Sequence, residues 1–182
     1  MPIDLTQFCI PSDYWDSVRL RSLGKPFRIG DKAYASEGRV IVEVEAGDTQ
    51  ANEWAPNSSA QKIMLGWTDG EWSRLPELPE PQTEECTTCC GSDGGCDDCH
   101  STGLQPKTIV VQIGKRLIDA KLLRLIATLP GLLINEDGDP LSPMSFKFDG
   151  GRGLLMPMKP QVEPCQGPAP KPRRKRKTAK AT

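Results

Sequence analysis

Two Cys-x-x-Cys turns, Cys86-Thr87-Thr88-Cys89 and Cys96-Asp97-Asp98-Cys99, stand six residues apart near the middle of the chain. Each such turn aims two thiolates at one centre, and two turns complete the four-coordinate set that structural zinc takes. The spacing predicts one structural zinc ion on Cys86, Cys89, Cys96 and Cys99. Four thiolates leave no coordination position for a reacting water, so catalysis by the metal is not expected. Glycines at 91, 94, 95 and 103 let the backbone turn tightly around an ion. Cys90 and His100 are spare donors beside the four, expected outside the ligand set, although either remains open as a substitute. A redox dithiol and unpaired surface cysteines are the alternatives to metal binding.

The run from Cys86 to Gly103 resembles the repeated Cys-x-x-Cys-x-Gly-x-Gly knuckles of DnaJ-type zinc fingers. That family's array binds two ions, whereas this chain has ligands for one, and it lacks the His-Pro-Asp motif of a J-domain. Of the other two cysteines, Cys9 reads as a small buried hydrophobe. Cys165 sits in a Pro-rich stretch and reads as a free thiol.

Around the cysteines, the apolar residues concentrate in 3–45 and 108–158. With 37% hydrophobic residues, 17 Gly and 17 Pro among 182, part of the chain should lie outside any packed core. Residues 2–8 alternate as a strand would, and Pro11-Ser12-Asp13 predicts the start of a helix that ends at Gly24-Lys25-Pro26. Short strands are expected at Phe27–Ile29, Ala33–Ala35 and Val40–Val44, joined by Gly30-Asp31 and Glu37-Gly38. Residues 63–72, with Trp67 and Trp72, fit either a hairpin or a short helix. Pro76–Pro81 reads as an extended linker.

In the second half, the β-branched run Thr108–Ile113 predicts a buried strand. Apolar residues at helical spacing predict a helix over 115–129, closed by Pro130-Gly131. Strands are then expected at Leu132–Ile134, Met144–Phe148 and Leu154–Met158. Each half thus runs strand, helix, several strands. The expected fold is α+β, one domain in two halves (1–82 and 106–160), with a zinc-knuckle insert (83–105) and a disordered, Pro-rich, basic tail (161–182).

Five pieces of the second half occur in one order: Ile109-Val-Val-Gln-Ile-Gly, Leu117-Ile-Asp-Ala, Leu132-Leu-Ile-Asn, Asp139-Pro-Leu-Ser-Pro and Gly153-Leu-Leu-Met-Pro-Met-Lys159. Together they resemble the closing segment of the bacterial DNA polymerase III β sliding clamp. Tyr34-Ala35-Ser36-Glu37-Gly38-Arg39-Val40 looks like a variant of that family's Ala-Thr-Asp-Gly turn. The resemblance implies a single clamp-like domain, two helices on one face of its sheets, and DNA contact through helix-borne cations. It assigns Met156, Pro157, Met158 and Lys159 to a peptide-binding groove. Lys159 departs from the family's Arg, and the family's groove also uses a neighbouring domain.

On the predicted helix, Arg116, Lys121 and Arg124 fall opposite the apolar stripe, where they would meet DNA phosphates or simply water. The tail adds Lys171, Arg173, Arg174, Lys175, Arg176, Lys177 and Lys180, with no acidic residue after 170. The remainder has 16 basic against 24 acidic side chains, so attraction to phosphate is expected from the tail rather than the body. No Ser-His-Asp set and no phosphate loop occur, and His100 is the single histidine; an enzyme is not expected. No N-terminal leader pattern or membrane-length apolar run is found, so a cytoplasmic protein is expected. The function these features imply is a non-enzymatic accessory protein of DNA replication or repair, of the kind a phage or plasmid would carry. Its partners would be DNA, replication proteins or further copies of itself. The competing expectation is a protein-interaction adaptor that binds no DNA.

Overall fold

The computed structural model describes residues 3–11, 23–47, 59–91 and 95–159. The helix expected after Pro11 and the tail lie largely or wholly outside these residues. Residues 5–8 do not form the strand their alternation suggests. Asp4 accepts from the Thr6 N–H at 2.9 Å and starts a 3-10 turn, Leu5–Phe8, that buries Leu5 and Phe8. A side-chain cap of this kind competes with strand pairing for the same backbone donors.

Strands β1 (Phe27–Ile29), β2 (Lys32–Ser36) and β3 (Val40–Glu45) form an antiparallel meander. Gly30 and Gly38 turn it at φ 60° and 98°, as the Gly-Asp and Glu-Gly pairs predict. A second meander, β9 (Leu133–Asn135), β10 (Met144–Phe148) and β11 (Gly151–Leu155), follows later in the chain. The two join where β11 pairs with β3, from Gly151↔Val44 to Leu155↔Val40. With β4 (Trp72–Ser73) on its edge, the result is a seven-stranded antiparallel sheet ordered β1-β2-β3-β11-β10-β9-β4. The fold is α+β and mostly strands.

One face of this sheet carries Ala33, Ala35, Val40, Val42, Val44, Ile134, Met144, Phe146, Phe148 and Leu155, packed with Leu122, Leu123, Ile126 and Leu129. Phe146 lies opposite Gly153, and Phe148 opposite Gly151. A Cβ on Gly153 would collide with the Phe146 ring and the Ile41 carbonyl. Gly153→Ala is therefore expected to destabilise by ~1–3 kcal/mol, the range for overpacking. Urea denaturation checks this: the midpoint should fall at constant slope, and a wild-type midpoint would mean the ring has room to move.

On the other face, helix α1 (Ser59–Met64) packs Ala60 and Met64 against Phe27, Tyr34, Ile41 and Leu154. Residues 63–72 contain the end of α1 and the start of β4, not a hairpin of their own.

Three sequence expectations for the second half need correction. Thr108–Ile113 is not a buried strand: β7 (Val110–Ile113) pairs only with β8 (Arg116–Asp119), and Val110 and Gln112 are exposed. Nor does one helix cover 115–129. Gly114, at φ 57°, closes a two-residue hairpin between β7 and β8. Asp119 then caps helix α2 (Ala120–Ala127), accepting from the Lys121 N–H at 2.9 Å. The 3.6-residue period misleads here because Leu117 and Ile118 sit on a strand running straight into the helix. Likewise β11 stops at Leu155, and the chain continues outside any regular element, with Met156 N–H bonded to Arg39 O and Met158 N–H to Leu117 O. No helix among the described residues is long and apolar enough to cross a membrane.

Candidate metal centre

The prolines of 76–81 form no regular element, but Leu75 and Leu78 pack on the core. Beyond them, β5 (Thr83–Glu85) and β6 (Leu104–Pro106) pair antiparallel and bring the two ends of the cysteine loop together. Cys86 follows β5 directly, its N–H bonded to Gly103 O at 2.8 Å.

The two knuckles close with different hydrogen bonds but share a left-handed turn ten residues apart. Cys90 N–H returns four residues to Cys86 O at 2.8 Å, and Ser101 N–H returns five residues to Cys96 O at 2.9 Å. After the second cysteine of each turn, two residues take left-handed angles: Cys90 (50°) with Gly91 (75°), and His100 (49°) with Ser101 (61°). That course turns the four sulfurs inward, all within 4.8 Å of one another. Cys86 and Cys96 are 3.9 Å apart at sulfur, and Cys89 and Cys99 3.6 Å. Tetrahedral Zn–S bonds of about 2.3 Å require sulfurs about 3.8 Å apart. The group can hold a metal ion and is compatible with zinc.

The N–H groups of Cys89 and Thr88 favour the Cys86 thiolate, drawing that thiol down to about 7. Burial, with hydrogen bonds that the Cys89 S–H donates to Cys99 and Cys86, pushes Cys89 up to about 12. A metal binding here would therefore displace protons. Cys90 and His100 are exposed and outside the cluster. Cys9 is buried, with its Sγ 3.7 Å from Leu5 O, and burial pushes its thiol up to about 11; an inert core cysteine fits this environment.

The cations expected on one helix do not share a surface. Arg116 lies on β8, buried, with its guanidinium donating to the carbonyls of Asn135, Glu136, Asp137 and Ser142. It is removed from the candidate DNA contacts. Lys121 is exposed on α2, whereas Arg124 is half-buried and donates to Pro79 O. Lys171, Arg173, Arg174, Lys175, Arg176 and Lys177 lie outside the described residues. Met156 and Lys159 are exposed, and Pro157 and Met158 half-buried, along β8.

Sequence reasoning missed Glu43, Lys147 and Arg152, which share the α1 side of the sheet. The available signal was a charge interrupting an apolar strand, as in Val40-Ile-Val-Glu-Val. Comparison with protein-family models, with curated proteins and with solved structures gives no match for this chain.

Proposed function

We propose that the chain is a non-enzymatic, clamp-like accessory protein of DNA replication or repair, stapled by one structural zinc ion and binding DNA through its phosphates without regard to sequence. One observation carries this reading. The segment that resembles the end of the bacterial clamp folds as hairpin, helix and three-stranded meander, and that meander joins a second one, β1–β3, across β3 and β11. Two three-stranded meanders joined through their last strands fit the two-half plan of a clamp-type domain. The sulfur spacing supports zinc, and the polar tetrathiolate set supports a structural rather than a catalytic ion. Exposed Lys121 and the seven tail cations supply phosphate contacts. In this reading Met156–Lys159 belongs to a peptide-binding edge, self-association would build any ring, and the protein acts in the cytoplasm.

The test is DNA affinity as a function of salt. Affinity should fall steeply between about 50 and 200 mM salt, and deletion of 171–182 should weaken binding and flatten that dependence. Absent or salt-independent binding would remove the DNA half of the proposal.

A second reading rests on the insert. Between residues 75 and 106 there are seven acidic and no basic side chains, and Glu84, Glu85, Asp97 and Asp98 are exposed. Such a lobe repels phosphate and suits a protein partner, as an adaptor would. Capture of one defined partner from nuclease-treated lysate, together with no DNA binding by the purified chain, favours the adaptor.

A further inference from the structure

Strand register lines up four side chains directly across the sheet: Tyr34↔Glu43, Glu43↔Arg152 and Arg152↔Lys147. All four project to the side of α1, opposite the faces of Val42 and Phe146. Arg152 and Lys147 are thus like charges on directly paired positions, an arrangement that destabilises a sheet by itself. Local conflicts of this kind are expected at functional or strained sites.

The surroundings hold these cations in position without neutralising both. Tyr34, buried, hydrogen-bonds to Glu43, and Glu43, also buried, accepts from Arg152 Nε at 2.9 Å. The Arg152 guanidinium lies over Trp67 at 5.0 Å, and Trp67 is itself pinned by its indole N–H to Phe146 O at 3.2 Å. Lys147 sits over Trp72 at 4.2 Å, and the Trp72 indole donates to Asp69 at 2.7 Å. The terminal N–H groups of Arg152 have no partner among the described residues. A guanidinium fixed at Nε and on one ring face presents its remaining fork to a planar oxyanion.

Two hollows of about 510 and 530 Å³ share Lys32, Glu43 and Arg152, so they form one trough. Lys62 lines the first and Lys147 the second. The trough's carboxylates are both engaged, Glu43 with Arg152 and Glu45 with Lys32. With strands 4.7–4.9 Å apart, the cations from β2 to β10 extend over roughly 14 Å. That is too long for one phosphate group and suits successive phosphates of a strand.

We infer that this trough contacts the phosphodiester backbone of a nucleic-acid strand, with Arg152 and Lys147 sharing one phosphate and Lys32 and Lys62 meeting its neighbours. The inference rests on the DNA-binding reading and moves the main contact of the folded body from α2 to the open sheet face. A phosphate between Arg152 and Lys147 offsets the repulsion that the register imposes.

The experiment is fluorescence anisotropy of a labelled oligonucleotide, single-stranded and then duplex, titrated with the full-length protein at several salt concentrations. The double variant Lys62→Ala/Lys147→Ala alters side chains outside the core. It should lower affinity about tenfold and reduce the salt slope by about two. Arg152→Gln should lower affinity by a similar factor, whereas Lys107→Ala, exposed next to β6, should change it less than about twofold. Thermal melting of each variant identifies any loss caused by unfolding, and the Lys62/Lys147 variant decides the matter if Arg152→Gln melts early. Wild-type binding that the double variant leaves unchanged overturns the trough and leaves the DNA reading standing. Absence of wild-type binding to either oligonucleotide overturns both.

Discussion

Chelating metal from the full-length protein is expected to release β5, β6 and the four cysteines while the seven-stranded sheet stays folded. No residue between 79 and 109 belongs to either hydrophobic cluster among the described residues, and Cys86 and Cys99 are the buried apolar side chains of that stretch. Two three-residue strands cannot hold such a lobe, because isolated two-stranded pairs are marginal in water. Structural zinc contributes about 10–16 kcal/mol in small metal-dependent modules, and that binding energy is then folding energy. Cys89→Ser should lower zinc affinity by more than about 100-fold, beyond what changes around a ligand set produce. Chelator competition measures the affinity, and amide hydrogen exchange locates the opening. Exchange protection in β5 and β6 that survives metal removal would refute the metal-dependent lobe.

Replacement of Arg116 by Met should cost at least about 3 kcal/mol, since hydrogen bonds to charged groups contribute ~1.5–3 kcal/mol each. Arg116 is 2% exposed and gathers the backbone of 135–142 around one guanidinium, with Gly138 pressed against it so closely that a Cβ would collide. Burial pulls the guanidinium below its ordinary value, while Asp137 and Asp139 act against that shift. Arg116→Lys keeps the charge but loses the planar fork and should recover less than half of the loss. Denaturant melts measure both. A total stability of 5–15 kcal/mol makes this a large fraction. Arg116→Lys at wild-type stability would show that charge alone organises the loop.

Both arguments bear on how far the residues announce the structure. The four-cysteine cluster was legible because a Cys-x-x-Cys turn is local, and its geometry depends on few neighbours. Most strands of both meanders were legible as short apolar stretches bounded by turns rich in Gly and acidic residues. Arg116 was not. Its role comes from the hairpin at Gly114, which converts the first turn of an apparent helix into a strand, and the distinguishing signal was Asp119, an N-cap in the middle of the apolar period. The cross-strand row of Tyr34, Glu43, Arg152 and Lys147 was also hidden. It exists only through the pairing of β3 with β11, more than a hundred residues apart in sequence, and no local pattern reports such a register.

That pairing also sets a timetable for the nascent chain. At 5–20 residues per second, about 5–20 s pass between synthesis of β3 and synthesis of its partner β11. Through that interval the open edge of Val40–Glu45 awaits a neighbour still being translated. The last strand among the described residues is the one that seats the middle of the sheet, so truncation before residue 151 should leave two unfinished meanders rather than a smaller version of the fold.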